Sequence, residues 1–182
     1  MSGLHAAEID CLLKRTLSDV HPYMGSSVQW LGVFARDELP NLNRERRPFA
    51  LVLNTDPRSK PGQLWLALFG LKEEPIEIFD SFGLHPSSYG LAYLLPTYSL
   101  IQLQSAFSAL CGHYCIFFIN QRSNNHVSLK LNPFYRIIDF VRKPHIPDNY
   151  VKKYVEIIQH TYRIIKPCNR NYQRSKLKCS FC

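Results

Sequence analysis

The run from Cys111 to Asn120, CGHYCIFFIN, constrains the fold more than any other stretch. It is apolar on nearly every side, so a helix built from it has no solvent face and must be buried. An apolar, strand-like segment (Tyr98, Leu100, Ile101, Leu103) and a small-residue turn (Ser105, Ala106, Ser108, Ala109) lead into it. Cys111 then falls in the first helical turn, where backbone N–H groups and the helix dipole favour a thiolate. Gln104, a few residues upstream, presents an amide donor to the same place. Nucleophile plus oxyanion donor is half of a cysteine-protease site, and a His with a carboxylate is the other half. Each residue also has a plainer reading. Cys111 reads equally as a small buried hydrophobe, and Cys115, one turn on, as core.

The remainder of the chain supplies a sheet for that helix. Ser2 is placed to cap a first helix in which Ile9, Leu12, Leu13, Leu17 and Val20 recur at helical spacing, ended by His21-Pro22. Strands are expected at Val28–Phe34, Phe49–Asn54, Gln63–Phe69, Ile76–Phe79 and Tyr98–Leu103. Leu84–Leu95 reads as a short helix, and Asp148 as the cap of a last helix with Val151, Tyr154, Val155 and Ile158 on one face. The order implies an α+β fold, a central mixed β-sheet packed against a buried helix. At 182 residues one domain is expected, residues 1–165, followed by a basic Cys-containing tail, 166–182.

No apolar run reaches transmembrane length, and Glu8 and Asp10 interrupt the N-terminal stretch, so neither a membrane span nor a secretory leader is expected. Without such a leader, cysteines 11, 111, 115, 168, 179 and 182 read as reduced thiols in an intracellular reducing compartment, nucleus or cytoplasm. The net charge of +8 suits a polyanion such as nucleic acid, or simply a solvated basic surface.

Several segments, taken in order, resemble one family. They are LGVFARDELP (31–40), FALVLNT (49–55), GQLWLALF (62–69), EIFDSFGLHP (77–86), QSAFSALCGHYCIFFI (104–119) and DNYVKKYV (148–155). Together they resemble the adenovirus protease (adenain) family and its relatives in Maverick/Polinton transposons, themselves distantly similar to the SUMO and ubiquitin-like-protein proteases. The resemblance implies a papain-like cysteine endopeptidase that cuts precursor or ubiquitin-like proteins at Gly-Gly-type motifs. It implies Cys111 as nucleophile, Gln104 as oxyanion donor, Asp80 as the carboxylate that orients the base, and Trp65 as the ring that covers the site. It implies no cofactor beyond stimulation by DNA. Read without the resemblance, Asp80 caps a turn and Trp65 is core.

One position departs from the family. Its pattern is Gly-x-His-Trp, and this chain reads Gly62-Gln63-Leu64-Trp65. Leu64 stands where the general base belongs. Such a base takes the thiol proton and later protonates the leaving amine, so impaired or absent peptidase activity is expected. The alternative is a non-catalytic module that binds peptide, a ubiquitin-like tail or nucleic acid. His85, His113 and His126 are the candidate substitutes, with His85 the best placed and His113 on the wrong helix face. From Arg163 to Cys182 six Lys or Arg mix with Tyr172 and Phe181 and no acid, which suits a basic arm for nucleic acid. Cys168, Cys179, Cys182 and His160 match no standard zinc spacing.

Overall fold

The computed structural model describes residues 3–18, 28–60, 62–124 and 146–165. Helix α1 (Ala6–Ser18) lays Ile9, Leu12, Leu13 and Leu17 into the core, at the expected spacing. It starts three residues later than a Ser2 cap would imply. The His5 backbone N–H donates to the Glu8 carboxylate (2.9 Å), and the His5 carbonyl accepts from the N–H groups of Glu8 and Ile9. Ser2, Val20, His21 and Pro22 lie outside the described residues.

Five strands follow: β1 (Gln29–Phe34), β2 (Phe49–Asn54), β3 (Trp65–Gly70), β4 (Glu77–Phe79) and β5 (Thr97–Tyr98). They lie side by side in chain order. The sheet is mixed: β1/β2 and β4/β5 are parallel, β2/β3 and β3/β4 antiparallel. β2 is apolar from Phe49 to Leu53 because both of its faces are covered. Ala50, Val52, Ala67, Phe69 and Phe79 face the helices. Phe49, Leu51, Leu53, Leu66, Leu68 and Ile78 face a second apolar cluster closed by Leu42, Tyr89 and Leu91.

The fifth strand is much shorter than Tyr98–Leu103. Beyond Tyr98 the chain leaves the sheet edge, and the N–H groups of Leu103 and Gln104 both donate to the Ser81 carbonyl (2.8 and 2.9 Å). Leu84–Leu95 forms two short 3-10 turns, Pro86–Tyr89 and Ala92–Leu94, rather than one helix. Gly90, in the left-handed region at φ 69°, ends the first of them.

Helix α2 (Cys111–Asn124) is the buried helix of the sequence reading, and every residue from Cys111 to Asn120 is buried. It lies on β3, between α1 and α3 (Ile146–Ile165). Phe118 stacks on Phe79 of β4, ring centroids 4.6 Å apart and planes nearly parallel. Asp148 sits inside the first turn of α3 rather than capping it, a correction to its expected position. Its carboxylate accepts from the Tyr114 hydroxyl (2.8 Å) and the Ser105 N–H (3.3 Å), tying α3 to α2 and to the loop before Cys111. Tyr114→Phe removes a buried hydrogen bond to a charged group and is expected to lower stability by about 1.5–3 kcal/mol. Urea unfolding checks this, and an unchanged midpoint would show that the bond contributes nothing net.

Two features bear on expected partners and thiol state. No helix of the described residues is long and apolar enough to cross a membrane. Cys11 is disulfide-bonded, which corrects the reading of all six cysteines as reduced thiols, whereas Cys111 and Cys115 are free. The tail 166–182, with Cys168, Cys179 and Cys182, and His126 lie outside the described residues.

Candidate functional site

Cys111 opens α2, as its place before the apolar run implies. Its side chain meets the start of β3. The backbone N–H groups of Trp65, Gly112 and Cys111 itself face the sulfur and favour the thiolate. Burial opposes them and is the larger effect, since the residue is only 8% exposed. The negative charge of Asp80, within electrostatic reach, adds a smaller push the same way. The thiol is therefore raised above its ordinary pKa and stays protonated at neutral pH. The sequence reading had the helix end lowering it, and the structure reverses that balance. Cys115 is buried more completely and is pushed up further.

Leu64 immediately precedes β3, and its carbonyl accepts from the Thr55 N–H (3.0 Å). Its side chain packs on the apolar cluster that contains Leu66 and Tyr89. Trp65, one residue on, points to the helix side of the sheet and packs on the cluster with α2. The turn before them needs a glycine. Gly62 is left-handed (φ 48°), and a Cβ there would collide with the Asn54 amide.

Asp80 follows β4 directly and is 5% exposed. Its carboxylate accepts three hydrogen bonds. Oδ1 accepts from the Phe82 N–H (2.9 Å), and Oδ2 accepts from the Leu84 N–H (2.9 Å) and the Tyr89 hydroxyl (2.7 Å). Burial and then the bond to Asp80 hold the Tyr89 phenol well above its usual range. Asp80 thus caps the turn after β4, and through Tyr89 it borders the same cluster as Leu64.

Gln104 is 2% exposed and is held at both ends of its amide. Oε1 accepts from the Ser81 hydroxyl (2.7 Å), and Nε2 donates to the Ser108 carbonyl (2.6 Å). Of the two protons on Nε2, Ser108 takes one. Ser81 and Tyr89 were not singled out from the sequence. Their hydroxyls lie in turns whose partners are distant in the chain, and no spacing signals them.

Of the substitute histidines, the two within the described residues, His85 and His113, do not complete the set, and His126 lies outside them. His85 caps the first 3-10 turn, its Nδ1 accepting from the Ser87 N–H (3.1 Å), and its ring lies edge-on to Tyr98. His113 points away from the sheet, where its Nδ1 has no partner among the described residues. Glu8 of α1 and Glu156 and Lys152 of α3 are the charges around it. Burial dominates and lowers its pKa. The folded state then binds fewer protons than the unfolded one, whose His titrates near 6.5. Stability is whole above that value and is lost as pH falls through it toward the lower folded pKa. Urea midpoints are expected to drop between pH 7.5 and 5.5, with a shallower drop in His113→Gln. Equal slopes in the two proteins would refute this.

Among the described residues no group of three or more His, Cys, Asp and Glu is placed to hold a metal ion. From Ser81 to Gln121 the chain carries no Asp, Glu, Lys or Arg. Within that run Leu84, Leu100, Ile101 and Phe107 are exposed. Comparison of the chain with protein-family models and with curated proteins finds no match.

Proposed function

We propose that the chain is an adenain-like, papain-like cysteine-protease domain that has lost peptide-bond turnover and still holds an extended polypeptide. One observation carries the reading. A free cysteine opens a buried helix against the start of β3, within electrostatic reach of a buried aspartate just after β4, and the residue immediately before β3 is Leu64. Nucleophile, carboxylate and Gln104 come from three separate parts of the chain. The family pattern adds a fourth group, an imidazole, and this chain carries Leu64 at that position.

Without it, Cys111 has no imidazole among the described residues to accept its proton or to protonate the leaving amine. The run from Ser81 to Gln121, which carries no Asp, Glu, Lys or Arg after Asp80 and exposes Leu84, Leu100, Ile101 and Phe107, favours an uncharged polypeptide with small or apolar residues, of Gly-Gly type, over nucleic acid. The unaltered protein is expected to cut a Gly-Gly peptide no faster than Cys111→Ser. Leu64→His is expected to gain turnover that Cys111→Ser abolishes. If Leu64→His gains none, and a peptide electrophile leaves its Cys111 unlabelled, the reading is wrong.

A further inference from the structure

We propose that residues 3–5 form a strap across the Cys111 thiol and control its access to electrophiles. Three contacts define it. The Leu4 carbonyl accepts a hydrogen bond from the Trp65 indole (3.2 Å). Gly3 lies so close to the Ala109 carbonyl that a Cβ built on it would stand 2.8 Å away. On the other side, a Cβ built on Gly112 would stand 3.3 Å from the Leu4 Cβ, 3.0 Å from Ile9 and 3.4 Å from the Trp65 ring.

The strap therefore touches the chain before Cys111, the chain after it, and the tryptophan whose backbone N–H faces the sulfur. Its attachments are unequal. At the α1 end it is anchored by the His5 N–H bond to Glu8 and by the two bonds to the His5 carbonyl. Over the site it is held by one neutral hydrogen bond and the packing of Leu4 on the core. A segment held this way opens locally without unfolding the helices beneath it. Glycine at position 3 permits the close approach, and any side chain there must lift the strap or shift Ala109. This inference concerns thiol access alone and holds whether or not the site cuts peptide bonds.

The test is alkylation of the full chain by iodoacetamide, read residue by residue by mass spectrometry. The sulfur–carbon bond forms, iodide leaves and the thiol proton passes to solvent. Three variants loosen the strap differently. Gly3→Ala crowds it against Ala109, Trp65→Phe removes only the indole donor, and a chain lacking residues 1–4 removes it. Gly3→Ala and the shortened chain are expected to alkylate Cys111 at least about tenfold faster than the unaltered protein, with Cys115 still unmodified. Trp65→Phe is expected to fall between. An unchanged Cys111 rate in both Gly3→Ala and the shortened chain overturns the proposal. So does acceleration of Cys115 in step with Cys111, because that reports general loosening rather than a local cover.

Discussion

Leu64→His is expected to raise kcat/KM on a Gly-Gly peptide by about 10²–10⁴-fold over the unaltered protein, the usual contribution of a positioned general acid–base. Two features favour the gain. The substituted position adjoins the Tyr89 and Asp80 side of the sheet, where a carboxylate is already buried. The Cys111 sulfur already faces three backbone N–H groups, so burial is the main obstacle to ionisation, and an imidazole that reaches it supplies an acceptor for the proton. One feature opposes it. Asp80 is committed to two turn N–H groups and to Tyr89, so a single acceptor site, on Oδ1, is left to orient the new ring. Adding Tyr89→Phe frees one acceptor site, and a further gain in the double variant is expected if that competition limits the rate. The substitution also withdraws a half-buried Leu from its cluster, at a cost of about 1 kcal/mol, which the fold tolerates. Steady-state hydrolysis against the Cys111→Ser background measures all of this. No gain in either variant would mean that residue 64 does not stand at a base position.

The second large effect concerns stability. Arg122→Ala is expected to cost about 3–5 kcal/mol, the cost of stripping one partner from a buried ion pair. Arg122 on α2 grips Glu77 on β4 with two bonds, Nε to Oε2 at 2.8 Å and Nη2 to Oε1 at 2.6 Å. Both side chains are nearly out of solvent, 14% and 10% exposed. The guanidinium also lies over the Phe69 ring, 5.8 Å from its centre. Removing it leaves the Glu77 carboxylate buried with neither partner. Replacing both, as Glu77→Leu with Arg122→Met, removes the two charges together and is expected to be close to neutral. Chemical denaturation of the three proteins decides the matter. Equal losses in the single and double variants would show that packing, and not the charge left behind, sets the cost.

Arg122 and Glu77 also show where sequence reading stops. Glu77 sits in an apolar strand and Arg122 near the end of an apolar helix, 45 residues apart. Nothing local pairs them. The strands themselves were legible, because apolar runs bounded by Pro, Gly and Asp have few alternatives. β2 matches its expected bounds, and β1, β3 and β4 fall within a residue or two of theirs. β5 was overestimated for a definite reason. Tyr98, Leu100, Ile101 and Leu103 are apolar, but the segment beyond Tyr98 is drawn off the sheet edge by the Ser81 carbonyl. Exposure of Leu100 and Ile101 shows that apolarity there does not mean core.

By itself, the sequence determined that Cys111 opens a buried helix, that Asp80 ends a strand and that Leu64 stands beside Trp65. Those are statements about order and periodicity, and periodicity is a local property. Tertiary structure alone decided the state of each group. It made burial outweigh three N–H groups at the thiol, gave Asp80 to its own turn and to Tyr89, and locked the Gln104 amide between Ser81 and Ser108. It also packed Gly3 against Ala109 and Leu4 against Gly112, more than a hundred positions away. The charge and reach of a side chain depend on what is packed around it, and that packing comes from distant parts of the chain.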